Sequence, residues 1–184
     1  MMRIIAGTRR GRRLATLPGE DTRPTLERVK QGLFSAIQFE LEGRAVLDLF
    51  AGSGQLGLEA LSRGARSCWF NDHNPKALEV VRRNIRACQF ENITKETCAE
   101  HMLCVKMIQR AGFLPDLVFL DPPYRQNRIQ EVLAVLAPDL RPGALVAAES
   151  AAAEQFDFCG LSLRREYFYG PVKVTLLEKR GQDQ

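Results

Sequence analysis

Three places in the chain put a carboxylate at the end of an apolar run, where it can do chemistry. The first is Ala45 to Gly54, AVLDLFAGSG. Val46, Leu47, Leu49 and Phe50 make a nearly continuous hydrophobic run, the pattern of a parallel strand covered on both faces. Asp48 interrupts it, and a carboxylate there costs free energy unless it has partners, so it reads as part of a site rather than of the packing. Gly52 and Gly54 let the backbone turn tightly and let a ligand lie against bare amides. With Gly57 they spell G-x-G-x-x-G, a nucleotide-binding fingerprint that is weak when it stands alone. The second place is Asp72, 24 residues after Asp48, where a carboxylate can accept both ribose hydroxyls of an adenosine. The third is Asp121, which opens Asp-Pro-Pro-Tyr after the run Leu117 to Leu120.

The third stretch suits transfer of a group to an amine. An exocyclic base amine is a poor nucleophile because its lone pair is delocalised into the ring, so catalysis must favour a pyramidal nitrogen. Asp121 and the carbonyl of Pro122 can accept the amine's hydrogens, while Tyr124 stacks on an extruded base. Pro122 and Pro123 stiffen that backbone and remove its amide donors. What remains is alignment of donor and acceptor atoms, mostly a proximity effect. Asp-Pro-Pro is also an ordinary strand-ending turn, and it is the pairing with the glycine loop that favours chemistry.

The elements that must position these residues alternate. A hairpin is expected from Arg3 to Ala6 and Arg12 to Ala15, with Arg9 and Arg10 projecting from the tip of its Gly7 to Gly11 loop. A helix capped by Thr25 follows, with Val29, Leu33, Phe34, Ile37 and Leu41 on one face. After the glycine loop the pattern gives a helix starting near Leu56, a strand Ser67 to Asn71, and a helix Pro75 to Cys88 opened by proline. A weaker strand spans Ile93 to Thr97, followed by a helix from about Ala99 to Arg110. Next come a strand Leu117 to Leu120, a helix Arg128 to Leu136 and a strand Ala144 to Ala148. A closing pair, Leu161 to Phe168 and Lys173 to Glu178, turns at Gly170 and Pro171. Alternation of this kind implies a mainly parallel sheet with helices on both faces, whose ligands bind at the C-terminal strand ends. The organisation expected is a basic hairpin and helix over residues 1–42 and one α/β domain over 43–184.

Composition narrows the classes. The chain has 184 residues, 45% of them hydrophobic, enough for one core and not for two full-sized domains. No stretch approaches the ~18 apolar residues of a membrane span, and no export signal is visible, so a cytoplasmic protein without a membrane partner is expected. Five scattered cysteines without a C-x-x-C pair fit reduced thiols. Cys98, His101 and Cys104 lack a suitably spaced fourth ligand, and no metal is expected. The net charge of +4 is uneven: residues 1–30 carry eight basic and three acidic side chains, +5, and the rest is −1. A basic arm on a near-neutral body suggests a polyanion partner.

A dinucleotide dehydrogenase usually adds a second domain, and it leaves Asp48 without a purpose. A carboxylate inside the strand instead suits a ligand with positive charge, such as the amino group of a methionine moiety. D-x-F-x-G-x-G, the acid after the second strand and D-P-P-Y together resemble S-adenosylmethionine-dependent amino methyltransferases. RIIAG near the start, RPT at Arg23 to Thr25, FAGSG and LGLEALSRGA at Leu56 to Ala65 extend this to a resemblance to the bacterial RsmD family over about the whole chain.

The resemblance implies a Rossmann-like class I methyltransferase fold with a seven-stranded sheet, S-adenosyl-L-methionine as cofactor, and methylation of guanine N2 in 16S ribosomal RNA, free or in an assembling small subunit; a monomer is expected. It implies a cofactor site of Asp48, Phe50, Ala51, Gly52, Ser53, Gly54, Asp72, Cys98, Ala99 and Asp121, and catalysis by Asp121, Pro122, Pro123 and Tyr124. Arg9, Arg10, Arg12, Arg13 and Arg23 would face RNA. Cys98 stands where relatives commonly carry an acid or amide, and a thiol is a weak acceptor; Gln55 is bulkier than the small residue expected. Tyr167 and Tyr169 read as packing more readily than as a base pocket. An adenine-N6 methyltransferase on DNA or RNA, or a cofactor- and RNA-binding ribosome assembly factor without activity, are the alternatives. An oxidoreductase using the G-x-G-x-x-G turn is a third.

Overall fold

Strands Ala45–Asp48 (β1) and Leu117–Leu120 (β4) are buried at every position, because each is covered on both faces. Their side chains alternate between two apolar layers. Val46, Leu117 and Phe119 point to one layer, and Leu47, Val118 and Leu120 to the other. The computed structural model describes residues 2–17, 24–123 and 127–181, with the backbone alone for 24–26. Its remaining strands are Ser67–Asp72 (β2), Thr94–Cys98 (β3), Leu145–Ala151 (β5), Ser162–Tyr169 (β6) and Val172–Glu178 (β7). Together they form one seven-stranded sheet in the order β3-β2-β1-β4-β5-β7-β6. β1 to β5 are parallel, and β7 lies antiparallel to both β5 and β6.

Helices Pro24–Ala36 (α1), Gln55–Ser62 (α2) and Pro75–Cys88 (α3) cover the first face through Val29, Leu33, Phe34, Leu58, Leu78 and Val81. His101–Arg110 (α4) and Arg128–Leu136 (α5) cover the second through Val105, Ile108, Val132 and Leu133. The mainly parallel sheet with helices on both faces is therefore as expected. α3 keeps its expected limits, with Pro75 at its first turn and Asn74 accepting the Lys76 amide at 3.0 Å.

Several boundaries differ, each for a local reason. α1 begins at Pro24, one residue before the expected cap Thr25. Residues Glu91–Ile93 form a 3-10 turn, so β3 starts at Thr94. α4 starts at His101 rather than near Ala99. β5 continues to Ala151 because β7 pairs with its last turn of chain, Ala151 opposite Val172. The hairpin is a single antiparallel bridge, Arg3 to Arg13, flanked by Ile4 N–H to Arg12 carbonyl and Leu14 N–H to Met2 carbonyl bonds of 3.0 Å. Ile4 and Leu14 nevertheless enter the first core layer. Tyr167 and Tyr169 pack against that same layer.

Candidate active site

The sheet order reverses between β1 and β4, and the crevice at their C-terminal ends is where an open α/β sheet receives ligands. Asp48, the last residue of β1, lies in register with Phe119. The ladder continues through Leu49 N–H to the Phe119 carbonyl, 3.3 Å. Asp121, two residues beyond Phe119, therefore emerges beside the loop that follows Asp48. Asp121 is partly buried, Pro122 is buried and Pro123 is exposed. Tyr124 and Arg23 lie outside the described residues.

The three glycines of the fingerprint do different work. Gly52 and Gly54 have φ of 54° and 78°, a left-handed conformation that side chains disfavour. Gly54 caps α2 in that conformation, and its N–H bonds the Ala51 carbonyl at 2.6 Å. Gly57 has an ordinary φ but no room: a Cβ there would lie 2.4 Å from Phe70 Cε1 and 2.7 Å from Cys68 Sγ. It lets α2 press onto β2.

Asp48 is 2% exposed and accepts the Gly57 N–H at 2.9 Å through Oδ2. Among the described residues it has no cationic partner. Burial raises its pKa from 3.8 to about 7, the Gly57 amide opposes that shift, and the charge of Asp72 adds to it. Asp72 accepts Gly52 N–H at 2.9 Å through Oδ2 and Asn74 N–H at 2.8 Å through Oδ1. Oδ1 also lies 3.5 Å from His73 Nδ1, and Oδ2 keeps a lone pair for a further donor. The carboxylate expected to hold a ribose thus also holds the glycine loop.

The other expected cofactor residues divide. Phe50 tilts against the His101 ring, with centroids 5.4 Å apart, and the Ala51 N–H bonds the Asn71 carbonyl at 2.9 Å. Ser53 is buried, its hydroxyl donating to Met2 Sδ at 3.1 Å and its carbonyl accepting from Asn84 Nδ2 at 2.9 Å, so its side chain serves the fold. Cys98 is exposed, its thiol donating to the His73 carbonyl at 3.8 Å. Ala99 offers its carbonyl to Asn71 Nδ2 at 3.1 Å. Cys104 is buried, its thiol pushed up to about 12 by burial, apart from exposed Cys98. Among the described residues no three His, Cys, Asp or Glu side chains gather to hold a metal.

Of the hairpin arginines, Arg10, Arg12 and Arg13 are exposed. Arg9 does not project from the tip as expected. Its Nε donates to the Cys88 carbonyl at 2.6 Å, and its guanidinium lies 5.4 Å from the Phe90 ring centre. The C-terminal carbonyls of α3 lack helical partners, and a guanidinium satisfies one of them.

Four further side chains organise the site in roles that their place in the sequence does not announce. Asn71 donates to the Leu49 and Ala99 carbonyls at 3.0 and 3.1 Å, joining the ends of β1 and β3. His101 supports Phe50. Glu59 is fully buried; it accepts the Ile5 and Ala6 amides at 2.7 and 3.0 Å, and pairs with Lys30 at 3.1 Å and Arg63 at 2.8 Å. Burial pulls the Lys30 pKa below its ordinary value, with Glu59 acting against that. Asn84 accepts the Ala15 N–H at 2.8 Å and donates to the Ala15 and Ser53 carbonyls at 2.9 Å each. The usable signal was that Glu59 and Asn84 fall on the apolar faces of their helices, as conspicuous there as Asp48 in its strand.

The sheet order, the switch-point crevice and the glycine loop with an acid at the end of the next strand define the class I methyltransferase fold. The chain matches, over residues 2–178, the family described as conserved hypothetical protein 95. It is 36% identical over 152 residues to ribosomal RNA small subunit methyltransferase D of Haemophilus influenzae, covering 81% of this chain and 78% of that one. The solved structure of YhhF from Escherichia coli, provisionally assigned as a methyltransferase, aligns with a TM-score of 0.84 at 30% identity over 98% of this chain and 99% of its own. The chain belongs to the conserved hypothetical protein 95 family, the RsmD family that its motifs resemble.

Proposed function

We propose that the protein transfers a methyl group from S-adenosyl-L-methionine to the exocyclic N2 amine of a guanine in small-subunit ribosomal RNA. The observation that carries this reading is the convergence, at one switch point, of a glycine loop braced by Asp72, a buried carboxylate at Asp48, and Asp121-Pro122-Pro123 at the neighbouring strand end. The relatives' names support RNA as the substrate and methyl transfer as the reaction.

The residues fit the cofactor. Asp48 is a buried carboxylate without a cationic partner among the described residues, and a positively charged ligand would offset the cost of its charge. Because it is buried, Asp48 acts through its field, which a low-dielectric surrounding strengthens. Asp72 would accept the ribose hydroxyls on its remaining lone pairs, with His73 beside Oδ1, and Phe50 and Ala99 would line the same cradle. The bound cofactor supplies an electrophilic methyl on a cationic sulfur. Asp121 and the Pro122 carbonyl would accept the hydrogens of the target amine and aim its lone pair at that methyl. The new N–C bond would replace the C–S bond, S-adenosylhomocysteine would leave, and the surplus proton on N2 would pass by way of the Asp121 carboxylate to solvent. Pro123 stiffens the segment, and Tyr124 stacks on the base. Arg10, Arg12 and Arg13 meet the RNA backbone.

The test is transfer of labelled methyl from S-adenosylmethionine to unmodified ribosomal RNA, naked and assembled into small subunits, with DNA alongside, followed by nucleoside analysis. Label in N2-methylguanosine is expected. Label in N6-methyladenine would overturn the base assignment, and cofactor binding without label in any sample would favour an assembly factor. Asp121→Ala is expected to lower transfer at least ~100-fold with cofactor affinity nearly intact, whereas Asp72→Ala weakens cofactor binding first. Equal loss of cofactor binding in both variants would contradict these roles.

A further inference from the structure

α3 passes directly beside the basic hairpin, and its outward face is basic as well. Asn84 grips both backbone groups of Ala15, and the α3 C-terminus takes the Arg9 guanidinium. The charges of Arg12 and Arg9 reach the Cys88 thiol near the end of α3 and oppose the rise in its pKa that burial causes. The hairpin is therefore seated along α3 rather than free of it. While Asn84 and Cys88 face inward and are buried, Arg83 and Arg86, one turn apart, are exposed. Neither has an acidic partner among the described residues; Glu79, one turn before Arg83, is not within ion-pair distance of it. Arg82, on the flank facing β3, differs: it is neutralised by Glu96 at 2.8 Å.

The hairpin adds a second observation. Its one bridge sets Arg3 directly opposite Arg13, both exposed and neither ion-paired among the described residues. Like charges opposite each other across strands are destabilising. An anion laid across the pair relieves that repulsion. α3 itself lies next to the cofactor loop, since Asn84 also holds the Ser53 carbonyl.

We propose that Arg83 and Arg86 of α3 continue Arg3, Arg10, Arg12 and Arg13 of the hairpin into one track that binds the phosphate backbone of RNA and leads it past the cofactor loop. This rests on the RNA-methylating reading and adds to it where the RNA runs. Phosphate contacts release counterions, so each contributes about 0.7 to 0.9 to the slope of log affinity against log salt.

The experiment measures binding of a small-subunit ribosomal RNA fragment across a salt series for wild type, the double variant Arg83→Gln/Arg86→Gln, and Arg82→Gln. Methyl transfer and S-adenosylhomocysteine affinity are measured in parallel. The double variant is expected to bind RNA more weakly, with a slope shallower by about 1.4 to 1.8, and to bind S-adenosylhomocysteine as wild type does. Arg82→Gln is expected to leave the slope unchanged. If wild type binds and methylates RNA while the double variant keeps its slope, or if Arg82→Gln flattens it equally, the track is wrong and the methyltransferase reading stands. If wild type binds no RNA, both fall. Arg3→Gln supplies an independent check, because relief of the Arg3–Arg13 repulsion should raise thermal stability while RNA binding weakens.

Discussion

Asp48 makes the charge of the site depend on pH. Its pKa of about 7, against an ordinary 3.8, means that between those values the native chain holds a proton that the unfolded chain has lost. Its contribution to stability therefore falls as pH rises from about 4 to 7. Cofactor binding runs the other way, because a cationic ligand favours the ionised carboxylate. S-adenosylmethionine affinity should increase as pH rises through 7, by at most about tenfold per unit. Asp48→Asn keeps an oxygen for the Gly57 amide but cannot ionise. It should flatten that dependence and, above pH 7, raise thermal stability. Calorimetric titration at pH 6, 7 and 8 beside melting curves checks both, and an unchanged pH profile in the variant would assign the dependence elsewhere.

At the scale of elements, α2 couples the glycine loop to the sheet. Gly57 is where this helix meets β2, with Phe70 and Cys68 filling the space a Cβ would need. Neither neighbour is a freely moving chain end, since Phe70 is fully buried and Cys68 nearly so. Gly57→Ala should cost about 1–3 kcal/mol by overpacking. It should also weaken S-adenosylhomocysteine binding, because α2 can retreat from β2 only by carrying the loop with it. Denaturant unfolding and calorimetric titration on the same preparation test this. A stability loss with unchanged affinity would mean that the loop is held independently of α2, through Asp72 alone.

At the scale of the whole molecule, a fully buried carboxylate is one of the ties between the N-terminal hairpin and the core. Glu59 receives two hairpin amides, Lys30 from α1 and Arg63 from its own helix. Removing one partner of a buried ion pair leaves the other uncompensated, and Glu59→Ala should destabilise the fold by about 3–5 kcal/mol. Loss of the hairpin's seat should accompany it, read as faster amide exchange at Ile5 and Ala6. Wild-type stability in this variant would show that the hairpin is held by its apolar contacts through Ile4 and Leu14. No helix among the described residues is long and apolar enough to cross a membrane.

Much of the fold is legible in the chain because its signals are local. Period-two and period-3.6 apolar patterns, Pro75 opening α3, and the glycines and acids at strand ends all depend on residues a few positions apart. They were enough to set out the alternating elements and to single out Asp48, Asp72 and Asp121. The ends of β3, β5 and α4 moved by a few residues because pairing partners and turns set them. Tertiary structure alone decided which strands became neighbours, hence that the loop after β1 and the segment after β4 share one crevice. It also decided that Arg9 is consumed by α3 while Arg10, Arg12 and Arg13 remain exposed. Glu59 meets Ile5 across 54 positions, and Asn84 meets Ala15 across 69. The pKa of Asp48 belongs with these: burial and neighbouring charge set it, and both exist only once distant segments have packed.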